Sequence, residues 1–343
     1  MADGMIPPVV IAGAGSVGCY VGGCLAAAGR DVTLLLRDRL ASAIGLHGLN
    51  ISDFAGVERH LSPSLIGLAS EPAAAFRDAR LVLVTVKCGD TAAMAALIAD
   101  HAPGDALVVS LQNGVGNVDA LAQHLGAPRV IAGCVTLNVV QATQRHGPPR
   151  FHSATSGGVM VGPNALGLAT ALDVAGLPAS EPADITGTVW SKLVLNMNNA
   201  LNAISGLPLV AELADPGWRR LLARHIDETL SVLSDAGIAT VAIEGVNPRL
   251  IPYALRLPTP LFRLAARGMM AIDREARSSM AQDILRRRPT EVDFLQGAVI
   301  DLAGNTGRRA PIAERVRELV KRIEADGPAS VPVTPQSVLA SLR

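Results

Sequence analysis

The chain has 343 residues, of which 49% are hydrophobic and 17% charged, which suits about two folded domains and argues against disorder. Its 30 basic and 30 acidic residues give a formal net charge of zero, so nothing predicts bulk attraction to nucleic acid or to anionic lipid. The four cysteines, Cys19, Cys24, Cys88 and Cys134, lack metal-ligand spacing. We therefore expect a reduced, cytoplasmic protein without a structural metal.

The first half of the chain alternates short β-branched apolar runs with alanine-rich stretches. This alternation is typical of βαβ units around a parallel sheet that is buried on both faces. From Pro148 to Gly162 the composition shifts to Gly, Ser, Thr and Pro, which predicts an antiparallel edge. We therefore expect an α/β, Rossmann-like doubly wound domain over residues 1–180. The predicted strands are Val9–Ala12, Val32–Leu36, Leu81–Val86, Ala106–Ser110 and Val130–Val135.

The stretch between Asp3 and Arg30 carries no charge, which would also suit a signal peptide or a membrane span. Five glycines between Gly13 and Gly23, and the lack of a preceding basic segment, argue against both. We expect no membrane association.

The second half of the chain reads as mostly helical. Gly176–Ala183 contains two prolines and is predicted to be a linker. An all-helical domain over residues 181–343 follows, and we expect ligands to bind in a cleft between the two domains. The predicted helices are Val189–Ile204, Trp218–Ala236, Leu261–Ile272, Thr290–Ala303 and Pro311–Ala325.

A G-x-G-x-x-G motif follows the first predicted strand and opens a helix, as Gly13-Ala14-Gly15-Ser16-Val17-Gly18. In a dinucleotide fold, Gly13 permits the tight turn, Gly15 admits a pyrophosphate and Gly18 allows close packing of helix on strand. The N–H groups of Ser16 and Val17 would then face the phosphates. The alternative is a glycine-rich turn without a ligand.

Three polar residues follow other predicted strands. Arg37 stands where NAD enzymes usually carry an acidic residue, and a guanidinium suits a 2′-phosphate, so we predict NADPH over NADH. The alternative is a solvated loop arginine. Lys87 and Asn113 also fall at carboxyl ends of parallel strands, and Asn113 could bind a nicotinamide or ribose edge or simply form a turn.

Two polar groups mark the helical half. At helical spacing Lys192, Asn196 and Asn199 share one face, where the lysine either reaches water or lines a polar cavity. Thr290 and Asp293 predict an N-cap pair, which would place Glu291 in the first helical turn. There its carboxylate either compensates the helix dipole at the surface or serves a site.

The order and spacing of these motifs resemble the ketopantoate reductases (2-dehydropantoate 2-reductases) over nearly the full length. The resemblance implies NADPH-dependent reduction of the 2-oxo acid ketopantoate to pantoate, a step in pantothenate and coenzyme A biosynthesis. The matching residues are GAGSVG, Arg37, Val86-Lys87, LQNGVGN at Leu111–Asn117, WSKLVLN at Trp190–Asn196 and the run Ser278–Asp293.

The resemblance also implies residue roles. Lys192 would be the general acid, and Glu291 would bind the substrate and orient Lys192. Asn196 would bind the substrate's polar groups and Ser279 its carboxylate. On the cofactor side the implied residues are Lys87, Asn113 and Thr136.

The chain departs from the family at Ala200, where an asparagine is frequent, and Asn199 or a shifted register would replace it. Two alternatives to ketopantoate reduction therefore stay open: reduction of a different small 2-oxo acid, and a non-catalytic NADPH-binding regulator. The oligomeric state is not readable from the residues, and a homodimer through the helical domain is one option.

Overall fold

The computed structural model describes residues 7–142, 147–164, 167–267, 275–327 and 333–340. Contacts divide the chain into two compact units, Met1–Ile185 and Thr186–Arg343. The first is an α/β unit and the second is helical, so the predicted fold class is confirmed.

The α/β unit is built around an eight-stranded sheet in the order β12-β11-β8-β7-β6-β1-β2-β5. The chain order of its elements is β1 (Val9–Ala12), α1 (Ser16–Ala27), β2 (Val32–Leu35), α2 (Asp38–His47), β3 (Leu49–Asp53), β4 (Glu58–Leu61), β5 (Gly67–Ala69), α3 (Pro72–Phe76), β6 (Leu81–Val84), α4 (Thr91–His101), β7 (Leu107–Ser110), α5 (Asn117–Leu125), β8 (Val130–Val135), β9 (Val139–Ala142), β10 (Arg150–Ser153), β11 (Val159–Val161), α6 (Leu168–Leu172) and β12 (Ala179–Ser180).

The central strands of this sheet are parallel, with β1 paired to both β2 and β6. All four residues of β1 and of β6 are buried, as expected for strands covered on both faces. Towards one end of the sheet, β11 pairs antiparallel with β8 and parallel with β12. Two apolar clusters, one on each face, form the core; Ile11 and Leu83 belong to one, and Val10 and Val82 to the other.

A second sheet, in the order β4-β3-β10-β9, was not predicted. It packs on α1, where Tyr20 and Cys24 meet Ile51 and Phe151 in one cluster. The stretch Pro148–Gly162 therefore does not form a single edge, because β10 joins this second sheet while β11 joins the main one. The interpretation of Gly176–Ala183 as a plain linker is also wrong, since β12 pairs with β11 inside it.

The uncharged stretch near the start contains β1 and the whole of α1. Across the part of the chain that the structure describes, no helix has both the length and the apolar character needed to cross a bilayer.

The second unit consists of helices. In chain order they are α7 (Ile185–Leu195), α8 (Asn198–Ser205), α9 (Leu209–Ala214), α10 (Pro216–Asp235), α11 (Ile251–Leu255), α12 (Thr259–Ala265), α13 (Ser279–Leu285), α14 (Val292–Asn305), α15 (Pro311–Asp326) and α16 (Pro335–Ala340). The predicted helix Leu261–Ile272 corresponds to α12, and its residues 268–272 lie outside the described ranges.

One predicted helix is broken. Val189–Ile204 divides into α7 and α8, because the backbone tightens after Leu195. The Met197 N–H donates to the Val194 carbonyl and the Asn199 N–H to the Asn196 carbonyl, both three residues back rather than four. Such a tightened turn inside a helical run often accompanies a functional position.

Candidate active site

The glycine motif forms a tight turn whose residues leave no room for side chains at two positions. Gly13 has φ +78°, and a Cβ there would lie 2.1 Å from the Val86 side chain. A Cβ on Gly18 would lie 2.4 Å from Thr85 Oγ1, so α1 can approach β1 and β6 only with glycine at that position. Gly15, by contrast, has no atom within 4 Å of such a Cβ and borders open space. The turn therefore packs closely against Val86 and Thr85 and is open to space at Gly15, which fits the diphosphate of a dinucleotide.

The start of α1 faces the same open side. Gly15 is the N-cap residue and offers no side chain to the helix. The first N–H groups of a helix, here those of Ser16, Val17 and Gly18, have no partner within the helix. No acidic residue lies in the first turn, so these donors and the helix dipole are available for an anion.

The predicted cofactor residues all lie at one edge of the main sheet. Strands β2, β1, β6, β7 and β8 are consecutive and parallel, and each is followed by one of these residues. Ligands of open α/β sheets bind outside the carboxyl ends of the strands. The residues that the fold collects at this edge are Arg37, the Gly13–Gly18 turn, Lys87, Asn113 and Thr136.

Arg37 occupies the N-cap position of α2, two residues after β2 ends. Its side chain is exposed, and among the described residues it forms no hydrogen bond or ion pair. An exposed guanidinium without a protein partner can pair with an anionic group of a ligand.

A buried hydrogen-bond relay lies beneath Lys87 and Asn113. The Gln112 amide donates to the Val86 carbonyl over 3.1 Å and to Thr91 Oγ1 over 2.7 Å. Thr91 in turn donates to Asn117 Oδ1 over 2.9 Å. The Asn117 amide then donates to the Asn113 carbonyl over 2.8 Å.

Each hydroxyl and amide of this relay has a consistent donor and acceptor role. Ser110 Oγ donates to Gln112 Oε1 over 3.1 Å, and Cys88 Sγ donates to the Asn113 carbonyl over 2.9 Å. A fully satisfied buried network of this kind rigidifies its surroundings. It therefore ties the loop after β6, with exposed Lys87, to the loop after β7, with exposed Asn113. Sequence reasoning missed Gln112, Thr91 and Asn117 as supporting residues, although two of them belong to the LQNGVGN motif.

Thr136 follows β8 and is bonded to the chain beside it. Its Oγ1 accepts from the Gly158 N–H over 2.9 Å, and its own N–H donates to the Gly158 carbonyl over 2.9 Å. The side chain is only 9% exposed. This side chain therefore stabilises the connection between the segments next to the paired strands β8 and β11.

In the helical unit, Lys192 is half-buried near the end of α7. Its neighbours Ser191 and Leu193 are fully buried, and Ser191 Oγ accepts from the Val241 N–H over 2.8 Å. These anchors define the orientation of α7. The Asn196 N–H donates to the Lys192 carbonyl over 3.1 Å, so Asn196 stays one turn from Lys192, whereas Asn199 belongs to α8, beyond the break that separates it from α7.

The backbone of Asn199 on α8 is bonded to Ser278, the residue that immediately precedes Ser279. Ser278 is the N-cap of α13, and its Oγ accepts from the Ala281 N–H over 3.2 Å while donating to the Asn199 carbonyl over 3.0 Å. Ser279 is exposed at the first position of α13. The cap role of Ser278 was not predicted, although a serine immediately before a helix is a usual N-cap signal.

The predicted cap of α14 is wrong. The helix begins at Val292, so Glu291 holds the N-cap position and not the first turn. Thr290 Oγ1 accepts from the Val292 N–H over 3.3 Å but donates to Glu324 on α15. Asp293 also turns to α15, where it pairs with Arg317 over 2.7 Å. Both flanking side chains bind the neighbouring helix because it supplies charged partners, and half-buried Glu291 is held between them.

A parallel sheet with a glycine turn before α1, followed by a helical unit, is the arrangement of dinucleotide-binding oxidoreductases. The chain belongs to the ketopantoate reductase family. The family model described as "Ketopantoate reductase PanE/ApbA" matches residues 9–165, and "Ketopantoate reductase PanE/ApbA C terminal" matches residues 184–324.

Individual relatives agree with this assignment. The 2-dehydropantoate 2-reductase of Halobacterium salinarum is 30% identical over 93% of this chain and 99% of its own length. The crystal structure of a PanE/ApbA family ketopantoate reductase from Ralstonia eutropha JMP134 is 30% identical, with a TM-score of 0.78 over 94% of this chain and 99% of that one. A D-mandelate dehydrogenase with NADH and anilino(oxo)acetate shares the fold at 22% identity, with a TM-score of 0.75 over 93% of this chain and 99% of that one.

Proposed function

We propose that the chain reduces 2-dehydropantoate to pantoate with NADPH, as a step toward pantothenate and coenzyme A. The observation that carries this proposal is the match of both units of the chain to the two models of one reductase family. The curated relative from Halobacterium salinarum, which the chain matches over nearly its whole length, bears the name of this activity.

We assign the cofactor to residues at the carboxyl edge of the main sheet. The open turn at Gly15 and the first N–H groups of α1 suit the diphosphate. The exposed guanidinium of Arg37 suits a 2′-phosphate, whereas a ribose 2′-hydroxyl would not need a cationic partner. The residues that we assign to the dinucleotide are Gly13, Gly15, Ser16, Val17, Gly18, Arg37, Lys87, Asn113 and Thr136.

The residues of the helical unit are assigned to the substrate. When bound, the reduced nicotinamide supplies a hydride to the C2 carbonyl carbon of the 2-oxo acid. The Lys192 ammonium stabilises the negative charge that develops on the carbonyl oxygen and then donates a proton to it. Glu291 binds the substrate and orients Lys192. Asn196, Asn199 and Ser279 hold the polar groups of the substrate, Ser279 its carboxylate.

NADPH oxidation with ketopantoate and a panel of other 2-oxo acids tests this proposal. Lys192→Ala should lower kcat about 10²- to 10⁴-fold, the range for loss of a general acid. Arg308→Ala is the control, because Arg308 is an exposed cation of the helical unit that pairs with Asp235 at the end of α10. Faster turnover of another 2-oxo acid would identify that acid, and not ketopantoate, as the substrate. Binding of NADPH without turnover of any acid would favour the non-catalytic regulator.

We also propose that the chain forms a homodimer through its helical unit. Large apolar side chains are exposed around α11 and α12, where Leu250 is 63%, Tyr253 71% and Leu264 67% exposed. Exposed apolar side chains that cluster on a surface often mark a protein interface. Light scattering after size-exclusion chromatography should give twice the mass of one chain. The double variant Tyr253→Glu, Leu264→Glu should give the mass of a single chain.

A further inference from the structure

Glu212 is a carboxylate that the catalytic proposal does not use, yet it is almost completely buried. It lies on α9 and is 1% exposed. Its Oε2 accepts from the Asn202 amide over 2.6 Å and from the Asn198 amide over 3.4 Å, both on α8. Oε1 has no hydrogen-bond partner among the described residues. Buried carboxyl groups are usually paired or hydrogen-bonded, so one without a cationic partner points to a role for its hydrogen bonds.

Asn202 connects this carboxyl group to the start of α13. Asn202 is fully buried, and its Oδ1 accepts from the Ser278 N–H over 2.9 Å. Its amide also donates to the Leu207 carbonyl over 2.9 Å, which closes the turn after α8. Every hydrogen-bonding group of this side chain is therefore engaged, and a change at Glu212 is transmitted to the backbone of Ser278.

Ser278 completes the chain of contacts. Through its side chain it joins the Asn199 carbonyl to the cap of α13, and Ser279 is the next residue. The backbone of Asn199 on α8 and the first residue of α13 are thus joined through one serine, whose N–H is held by Asn202. Loss of the Glu212 contact would remove one of the three hydrogen bonds that hold the Asn202 side chain, so the backbone spacing of Asn199 and Ser279 would be held less firmly.

The charge state of Glu212 is governed by its burial. Burial raises the pKa of the carboxyl group to about 8, against a lowering by the amides of Asn202 and Asn198. Three charged residues of neighbouring segments have other partners: Asp215 caps α10, Arg219 bonds the Leu213 carbonyl, and Arg277 bonds the Gly206 carbonyl. Because burial favours the neutral acid, a glutamine can take the place of Glu212 with a similar shape and without adding a charge.

We propose that Glu212, acting through Asn202 and Ser278, is a positioning residue that sets the spacing of Asn199 and Ser279 for the carboxylate end of the 2-oxo acid. This inference rests on the proposed function. It assigns to α9, which carries none of the family motifs recognised in the sequence, a part in substrate affinity.

Steady-state kinetics of three variants test the proposal. Glu212→Leu should raise KM for ketopantoate about tenfold, because one buried hydrogen-bond partner is lost, while KM for NADPH stays within about twofold. Glu212→Gln should restore KM for ketopantoate to within about twofold of wild type. Glu228→Leu is the matched control: it removes a carboxylate that bonds the N–H groups of Ile312 and Ala313 on α15, and it should not raise KM.

Hydrogen–deuterium exchange gives a readout that does not need catalysis. The backbone N–H of Ser278 should exchange faster in Glu212→Leu than in wild type, and Glu212→Gln and Glu228→Leu should leave it protected. If Glu212→Leu does not fold, Asn202→Ala breaks the same chain of contacts one step later and should give the same pattern.

The outcomes separate this inference from the proposed function. A wild-type protein that reduces no 2-oxo acid overturns the proposed function, whereas the exchange of Ser278 still reports on the link from Glu212. Unchanged exchange at Ser278 together with an unchanged KM in Glu212→Leu overturns the positioning role. An equal loss in Glu212→Leu, Glu212→Gln and Glu228→Leu also overturns it, because general destabilisation would then explain all three.

Discussion

The side-chain amide of Asn117 donates to the backbone carbonyl of Asn113 over 2.8 Å, so a buried residue of α5 holds the exposed residue that follows β7. Asn117 also accepts from Thr91 over 2.9 Å, which links α5 to the start of α4. The position of the exposed Asn113, which we assign to the cofactor, therefore depends on buried residues. Binding strength at this edge should depend on residues that never touch the ligand.

Replacement of Asn117 by alanine tests this dependence. The change leaves the Thr91 hydroxyl without its acceptor and the Asn113 carbonyl without one of its donors. We expect a loss of about 1–3 kcal/mol in the free energy of unfolding and about tenfold weaker NADPH binding. Urea unfolding and calorimetric titration measure the two effects. Asn50→Ala, in the second sheet, is the control, and an equal loss of NADPH affinity in that variant would contradict the relay's role.

Arg37 should determine the choice between the two nicotinamide cofactors. Its exposed guanidinium has no partner in the described part of the chain, so a 2′-phosphate would be its principal ion-pair partner. In Arg37→Ala we expect the ratio of kcat/KM for NADPH over NADH to fall by about tenfold or more, with the value for NADH little changed.

The neighbouring Arg39 provides a matched control for this measurement. It is also exposed but lies one residue inside α2. Arg39→Ala should leave the ratio near the wild-type value. If both variants lower the ratio equally, the preference arises from general positive charge and not from a contact with Arg37.

Much of the main sheet and its glycine turn could be predicted from the residues. Strands such as β1 and β6 are buried on both faces and read as continuous apolar runs, and the glycines have a steric reason that acts locally. The second sheet escaped prediction because a strand such as Glu58–Leu61 is mostly polar, and because β3 pairs with β10, which is distant in sequence. Such pairing has no local signal.

The parts of the site that were missed depend on tertiary contacts. Nothing in Leu195–Asn198 resembles a helix break, since it contains neither proline nor glycine. Met197 is buried there, and its sulfur accepts from Thr229 on α10 and from Gln296 on α14. Likewise, Glu212 reads as a surface acid of a short helix. Its burial follows from the position of Asn202, which the local sequence does not reveal.

His225 should make the protein sensitive to acid. It is fully buried on α10, and neither ring nitrogen has a partner among the described residues. Burial lowers the pKa of His225 to about 4, from an ordinary value of 6.5. Between these pH values the unfolded chain takes up a proton that the folded chain does not, so stability falls as pH falls through this window. The loss amounts to at most about 3 kcal/mol.

Urea unfolding of wild type and His225→Leu from pH 7 to pH 4 measures this contribution. The free energy of unfolding of the variant should decrease less steeply below pH 6.5 than that of wild type. His101, in the last turn of α4, provides the control variant His101→Leu, which should keep the wild-type slope. Parallel curves for wild type and His225→Leu would show that His225 is not the group that titrates.

Arg219 should hold the segment between α10 and α12 to the rest of the helical unit. Its guanidinium is 1% exposed and donates to the carbonyls of Leu213 over 2.9 Å and Leu255 over 3.2 Å, and it stacks 4.5 Å from the Phe262 ring centroid. Lysine cannot reproduce this fork, so several buried carbonyls would lose their donors.

We expect Arg219→Lys to lower the free energy of unfolding by about 2–4 kcal/mol and to speed hydrogen exchange in residues 251–265. The control is Arg220→Lys, since Arg220 is the next residue on α10 and is exposed. An Arg219→Lys variant that keeps the wild-type free energy of unfolding and the wild-type exchange in residues 251–265 would show that Arg219 does not hold this segment.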